Sequence, residues 1–221
     1  NCDFGCAVCS YRYGDYLVVH SPLRRQRQLC IRDGVGAVVA EGFEAGGHNG
    51  REESTTLTLL PQVAKAIDIP LIAAGGIASG RAMLAAMTLG ADGVQVGSRF
   101  VATHEASSHI NFKNAVVESG EGATHLTLKE LAPVRMMRNK FWNDVQELYK
   151  TAPSSEDLKV LLGRARAKKG MFEGDMYEGE LEIGQICGLI DAIIPAAQVI
   201  EDMVAEYEEA RKDLLNKSLH G

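Results

Sequence analysis

A histidine in a glycine-rich loop is the residue of this sequence best suited to acid–base chemistry. The stretch EGFEAGGHNG, residues 41–50, follows the apolar run GAVVA and carries His48 among Gly46, Gly47 and Gly50. An imidazole titrates near neutral pH and can give or accept a proton there. In a purely structural role the ring would only hydrogen-bond nearby backbone, but the glycines leave it few side chains to pack on. We therefore predict that this histidine is catalytic or contacts a ligand.

Two glutamates flank the same loop, whereas the other histidines have no comparable surroundings. Glu41 and Glu44 could orient the imidazole, contact a ligand or be solvated. The spacing of five between His104 and His109 suits neither face of a helix, and no strong third ligand is near, so no metal site is predicted. We interpret five histidines as surface or structural residues: His20, His104, His109, His125 and His220.

Two glycine-containing steps further along the chain could bind a phosphate. They are Gly75-Gly76 in AAGGI and Gly97-Ser98 in QVGSRF. Glycines let backbone N–H groups approach an anion closely, and a following helix start favours negative charge. Ser98 adds a hydroxyl donor, and Arg99 could add positive charge. A tight turn would explain one such step alone, but two at corresponding places predict a phosphate-binding cup.

Alternating strand and helix patterns must position these residues. The run GVGAVVAEG, residues 34–42, is bounded by glycines and predicts a buried parallel strand, as do 69–77 and 91–100. Between them, 54–68 begins with N-cap residues and 79–90 ends at a glycine, so both are predicted helices. Such repeats build a parallel sheet whose carboxyl strand ends carry the chemistry. The histidine loop and both glycine steps fall at such ends.

The later part of the chain is predicted to be mostly helical. A capping box from Ser154 to Asp157 begins a helix over 154–170 that ends at Gly170. Residues 184–215 predict one or two more helices, with Pro195 marking a break or a first turn. One group of large side chains in this part could line an acyl or alkyl pocket or belong to the core: Met136, Met137, Phe141, Trp142 and Tyr149.

Composition and charge exclude several functional classes. Apolar residues make up 46% and charged residues 24% of the 221 residues, which is enough for a sizeable core, and the formal net charge is −6. No basic stretch has interleaved aromatic residues, which argues against a nucleic-acid partner. No apolar run reaches the roughly 18 residues of a membrane span, and the first residues lack the order of a signal peptide. A cytoplasmic protein is therefore expected.

The cysteines do not point to a metal cluster. Cys2, Cys6 and Cys9 have the C-x3-C-x2-C spacing with which radical enzymes hold an iron–sulfur cluster. No strand precedes this stretch, however, and Val8 stands where those enzymes usually place an aromatic residue. We interpret these cysteines as incidental thiols, and Cys187, in an apolar helical pattern, as packed.

Taken together, the motifs resemble one known family. AEGFEAGGHNG, followed by IPLIAAGGIASGRAMLAAMTLGADGVQVGSRF, is similar to the nitronate monooxygenase family, formerly called 2-nitropropane dioxygenases. The flavin enoyl-acyl-carrier-protein reductases of the FabK type share the fold and these motifs. The segment EGDMYEGELEIGQICGLIDAIIPAAQVIEDMV also looks like the end of the family. The resemblance covers residue 31 to about residue 204.

The resemblance implies FMN in a (β/α)8 barrel capped by a smaller, mostly helical segment. It places His48 over the flavin, where nitronate monooxygenases use it in proton abstraction or substrate binding. The glycines around it, Gly46, Gly47 and Gly50, would make room for the ring and the cofactor. The residues that the resemblance assigns to the FMN phosphate are Gly75, Gly76, Gln95, Val96, Gly97 and Ser98.

The chain departs from the family before residue 31. Only YLVVH, residues 16–20, could be an earlier strand, so the first four barrel strands are not found, and residues 1–30 read as an atypical leader. This predicts a truncated gene or a shifted reading frame upstream. The expected organisation is the leader, a partial FMN-binding barrel over 31–110, and a helical lid with C-terminal helices over 111–221.

The leading functional hypothesis is an FMN-dependent oxidoreductase of the nitronate monooxygenase type, which oxidises alkyl nitronates with oxygen. The second is an enoyl-thioester reductase on the same site, with NAD(P)H as reductant. The third is a flavin-binding remnant without turnover, which the missing strands favour. The long amphipathic C-terminal helices would suit a homodimer.

Overall fold

The computed structural model describes residues 36–217 in full and the backbone of residues 11–13 and 16–19. The predicted leader, with Cys2, Cys6, Cys9 and Cys30, therefore lies almost entirely outside the described residues. The strands are β1 (Tyr11–Tyr13), β2 (Tyr16–Val19), β3 (Ala37–Glu41), β4 (Gly47–His48), β5 (Leu71–Ala74), β6 (Gly93–Gln95), β7 (Thr124–Thr127) and β8 (Val134–Met137). The helices are α1 (Thr56–Ala64), α2 (Gly80–Thr88), α3 (Ser98–Val101), α4 (Ile110–Val117), α5 (Lys140–Tyr149), α6 (Ser155–Leu162) and α7 (Ala196–Leu215), with a π-turn at Lys168–Phe172 and a 3₁₀ turn at Gln185–Leu189.

The larger sheet is the predicted parallel one. Its strand order is β1-β2-β3-β5-β6, and all neighbours are parallel except the β1–β2 pair. The β3–β5 register pairs Val38 with Leu71 and Glu41 with Ala74. Strands buried on both faces are expected to be continuous apolar runs, and β3 is one. The predicted strands and their strand–helix alternation are thus confirmed for the described residues.

Helices α1 and α2 cover one face of this sheet, and α7 packs on α2. Their core includes Leu59, Leu60, Val199 and Met203. A Cβ added to Gly80 would lie 2.1 Å from the carbonyl oxygen of Met203, so the two helix backbones approach closely there. Ser79 caps α2, because its side chain accepts a hydrogen bond from the Ala82 N–H.

A second, antiparallel sheet was not expected in the later part of the chain. It has the order β4-β8-β7, and it is covered by α5 and α6. Residues 111–221 are therefore not only helical, as the predicted division had it. The strands are short, and the pairing of β4 with β8 joins residues as distant in sequence as Gly47 and Arg135, so local periodicity gives little signal for this sheet. Met136 and Phe141 are fully buried against α6, which confirms the core interpretation for them.

The structure corrects the end of one predicted helix and confirms predicted features at the starts of two helices. The Ser154–Asp157 capping box is present, but α6 stops at Leu162, because Gly163 takes a positive φ of 64°. The helix predicted to Gly170 is thus two pieces, α6 and the π-turn. Pro195 precedes α7, as predicted. No helix among the described residues is long and apolar enough to span a membrane.

Candidate functional site

A cavity of about 290 Å³ lies at the carboxyl ends of β3, β5 and β6. Parallel strands end at the same edge of a sheet, so the loops that follow them meet there. The third side of the cavity comes from a distant segment, residues 181–185, which we call the strap. The residues that carry the argument below are Glu41, Glu44, Gly46, Gly75, Gly76, Gln95, Gly97, Ser98, Glu182 and Gly184, all of which line the cavity.

The glycine pair after β5 forms one wall of the cavity in a conformation that requires glycine. Gly75 and Gly76 have φ values of 80° and 73°, in the left-handed region that other residues rarely adopt. A Cβ on Gly75 would lie 2.5 Å from the carbonyl oxygen of Gly42. The two strand ends therefore pack backbone against backbone, and the second glycine faces the cavity.

The glycine after β6 has a different role, because its lack of a side chain leaves space in the cavity. Gly97 has an ordinary φ of −105°, and a Cβ added to it would meet nothing within 4 Å. The position faces open space that a side chain would fill. Glycine here leaves room for an external group, which is the arrangement expected of a ligand cradle.

The strap closes the cavity through backbone hydrogen bonds. The Gly184 N–H donates to Ser98 Oγ at 2.9 Å, and the Gln185 N–H donates to the Glu44 carbonyl oxygen at 2.9 Å. A Cβ on Gly46 would lie 2.4 Å from the carbonyl carbon of Ile183, so the strap crosses directly over the histidine loop. Since Ser98 Oγ accepts from the strap, its own hydroxyl hydrogen is left to donate to a ligand.

Glu44 holds the loop and is not simply solvated. Its carboxylate accepts hydrogen bonds at 3.0 Å from the N–H and from Oγ1 of Thr56, the first residue of α1. Negative charge is favourable at a helix N-terminus. Arg135 supports the same loop, because its Nε and Nη2 donate to the Phe43 carbonyl oxygen at 3.0 and 2.9 Å.

His48 lies at the margin of the cavity and not in its lining. It pairs with Val134 in the second sheet, and its side chain is exposed. Its neighbour Asn49 is fully buried and donates from Nδ2 to the carbonyl oxygens of Ala45 and Gly47, each at 3.0 Å. The loop is therefore rigidly tied, and the imidazole is presented outward beside the strap.

Three carboxyl groups near the cavity have raised pKa values. Burial raises the pKa of Glu41 to about 7. Burial also raises the pKa of Glu182, although the positive charge of His48 opposes the change. Glu180, just before the strap, has its pKa raised to about 7 by burial and by the neighbouring charge of Glu182. Protonated carboxyl groups can donate hydrogen bonds, so the site holds exchangeable protons near neutral pH.

The structure brings most of the predicted site residues together. Gly46, Gly75, Gly76, Gln95, Gly97 and Ser98 line the cavity, whereas Gly47, His48, Gly50 and Val96 do not. Arg99 does not add charge to the cup, because its Nη1 is directed at the Ala192 carbonyl oxygen at 3.4 Å, near Asp191 and Asp202.

Sequence reasoning missed the strap and Glu182. The only available signal was a lone charged residue between two apolar ones in the run LEIG, and such a pattern has many explanations.

Three of the other histidines lie outside the cavity lining: His104 is exposed, His109 accepts from the Asn111 N–H at 3.1 Å, and His125 packs on Trp142. Among the described residues no group of three or more His, Cys, Asp and Glu could hold a metal ion.

Comparison with known proteins connects this chain to one family. The family model described as nitronate monooxygenase matches residues 19–206. The chain is 34% identical to a probable nitronate monooxygenase of Bacillus subtilis over 181 residues. The aligned region covers 78% of this chain and 52% of the relative. The chain thus spans about half the length of the curated relatives that it matches.

Two solved structures have the same fold over most of the chain. FabK from Thermotoga maritima superposes with a TM-score of 0.80 and 39% identity, over 90% of this chain and 62% of that one. A nitroalkane oxidase from Streptomyces ansochromogenes superposes with a TM-score of 0.70 and 33% identity, over 89% of this chain and 58% of that one. Since the family model covers well over half of the residues, the chain belongs to the nitronate monooxygenase family.

Proposed function

We propose that this protein is an FMN-dependent oxidoreductase that oxidises alkyl nitronates with oxygen. The observation that carries the proposal is the cup formed by Gly75, Gly76 and Gly97, in which backbone N–H groups can approach an anion and an added side chain at Gly97 would meet only open space. The family to which the chain belongs is generally flavin-dependent. Its likeness to the FabK and nitroalkane oxidase structures also supports a barrel-type fold for the described part.

The residues present fit the phosphate end of such a cofactor. The cavity volume of about 290 Å³ lies at the lower limit of small-molecule sites, so it suits one end of a nucleotide better than the whole. The described lining contains Glu41, Glu44 and Glu182 and no lysine or arginine. Backbone N–H groups and the Ser98 hydroxyl would therefore hold the phosphate. The raised pKa values of Glu41 and Glu182 reduce the repulsion that an anion would meet.

In the proposed reaction the chain's own residues position the substrate and move a proton. Bound FMN would supply the electron acceptor and the reactivity towards oxygen. His48, at the margin of the cavity, would donate a hydrogen bond to the nitronate oxygens or accept a proton at an imidazole nitrogen. Asn49 and Arg135 keep its loop fixed, and the strap forms one side of the cup.

Purified full-length chain should retain or take up FMN, visible as a flavin absorption band. Oxygen consumption with an alkyl nitronate and without NADH supports the proposal. Absence of a flavin band in a folded sample contradicts it and favours the remnant hypothesis.

The second candidate function is an NAD(P)H-dependent enoyl-thioester reductase. The likeness to FabK from Thermotoga maritima, at 39% identity, favours it. NADH oxidation that increases with a crotonyl thioester would select this function over nitronate oxidation.

The homodimer and the cytoplasmic location stay predictions, which light scattering and cell fractionation would test.

A further inference from the structure

We propose that Glu182 is a second functional acid of this site and that it acts as a positioning and charge-compensating partner of His48. The inference rests on the proposed function for its role in turnover. The pairing itself rests only on the geometry of the described residues. No motif of the sequence assigns a role to Glu182, and its segment joins the site only in the folded chain.

The first argument is the arrangement of the strap and β4 along one edge of β8. β7 occupies the other edge of β8 over its whole length. On the free edge, Met136 forms an antiparallel bridge with Glu182, and the next two positions of β8 pair with Gly47 and His48. The strap and β4 thus run end to end. The Met137 N–H donates to the Leu181 carbonyl oxygen at 2.9 Å, which fixes this register.

The register also places the two residues close together along one edge of β8. His48 pairs with Val134 and Glu182 with Met136, two residues apart on β8. Because a strand rises about 3.4 Å per residue, the backbones of His48 and Glu182 lie about 7 Å apart along this edge.

A close contact shows where the carboxyl group lies. A Cβ added to Gly47 would be 2.6 Å from Glu182 Oε2. The carboxyl group is thus held against the backbone of the residue before His48, and Glu182 also lines the cavity. It therefore lies between the backbone of β4 and the interior of the cavity.

The charges around Glu182 make His48 its main counter-charge. Burial raises the pKa of Glu182, and the positive charge of His48 lowers it. The other acids of the cavity are Glu41 and Glu44, and the latter is bonded to the first turn of α1. Glu180 is buried nearby, and Arg135 is bonded to the Phe43 carbonyl oxygen.

In turnover the pair would compensate the charge that forms on the imidazole. If a neutral nitroalkane is the substrate, the C–H bond beside the nitro group breaks, the proton goes to His48, and the electron pair is delocalised into the nitronate. The imidazolium then lies near the Glu182 carboxyl group, whose ionised form would stabilise it without touching the substrate.

The test is a titration of the Glu182 carboxyl group by NMR of full-length protein labelled with ¹³C-glutamate. The signal is assigned by its absence in Glu182→Gln. In His48→Asn the midpoint should rise by roughly half a pH unit, as expected from the loss of a positive charge about 7 Å away in a largely aqueous medium. Since His48 is exposed, this variant should fold. His125→Asn is the matched control and should leave the midpoint unchanged.

Activity adds a readout that a purely structural role would not change. Glu182→Gln should shift the acid limb of the pH profile of kcat, and Glu182→Asp should restore part of it, while KM for the substrate changes less. An unchanged Glu182 midpoint in His48→Asn overturns the pairing. A shifted midpoint with no turnover on any substrate confirms the pairing and refutes the proposed function, so the two failures are distinguishable.

Discussion

Replacement of Gly97 by leucine should weaken cofactor binding about 100-fold without weakening the fold. The backbone at Gly97 is ordinary, and an added Cβ meets nothing within 4 Å, so the free energy of unfolding should change by less than about 0.5 kcal/mol. The leucine side chain would occupy the space of the proposed phosphate. Loss of about two hydrogen bonds to a charged group costs roughly 3 kcal/mol, which is about a 100-fold increase in the Kd of FMN.

Gly75→Ala is the matched control, because it should weaken the fold first. Gly75 has a φ of 80°, and its Cβ would lie 2.5 Å from the Gly42 carbonyl oxygen. A left-handed non-glycine residue costs about 1–3 kcal/mol. For a domain of this size, at about 2–4 °C per kcal/mol, that lowers Tm by roughly 2–12 °C.

Flavin fluorescence quenching gives the Kd of FMN, and thermal unfolding followed by circular dichroism gives Tm. The reasoning would be refuted if Gly97→Leu bound FMN as tightly as the unmodified chain. It would also be refuted if this variant lost as much stability as Gly75→Ala, because the space beside Gly97 would then belong to the packed protein and not to a ligand.

Three further predictions concern the charged side chains of Arg99, Glu180 and Lys113. Arg99→Gln should leave the Kd of FMN within a factor of about two, because the guanidinium is directed at the Ala192 carbonyl oxygen; a tenfold loss measured by fluorescence would place this arginine in the cup. Burial raises the pKa of Glu180 from 4.5 to about 7, so the folded state binds more protons in that window and the free energy of unfolding falls as pH rises through it, by an upper bound of about 3 kcal/mol. Urea unfolding of Glu180→Gln at pH 5 and 8 should show a smaller decrease, and an unchanged one would contradict the assignment. Lys113→Met should lower the free energy of unfolding by about 2 kcal/mol, because buried Nζ donates to the carbonyl oxygens of Thr103 and Ala106 at 2.6 and 2.8 Å; a neutral effect in the same assay would show that these carbonyls find other donors.

Local patterns in the sequence accounted for the parallel sheet and the glycine cup. Buried parallel strands are continuous apolar runs, caps and stops lie within one turn of a helix end, and both signals can be read within a short window. The capping box at Ser154 and the start of a helix at Pro195 were therefore predicted. The Gly75–Gly76 pair was also predicted, because consecutive glycines after a strand indicate an unusual backbone conformation.

Contacts between distant segments could not be obtained in that way. The pairing of β4 with β8 joins residues about 90 positions apart, and the strap reaches the cavity from still further along the chain. The pairing of such segments depends on which surfaces remain free after the first sheet has formed, and no local periodicity records it.

The sequence by itself thus determined which residue types end each strand, and with them the chemistry available: an imidazole, two glycine steps and a hydroxyl. Only the tertiary structure decided that His48 lies at the margin of the cavity, that Arg99 turns away from it, and that Glu182 enters it. The physical reason is that secondary structure depends on neighbours in the chain, whereas the direction and burial of a side chain depend on the segments packed against it.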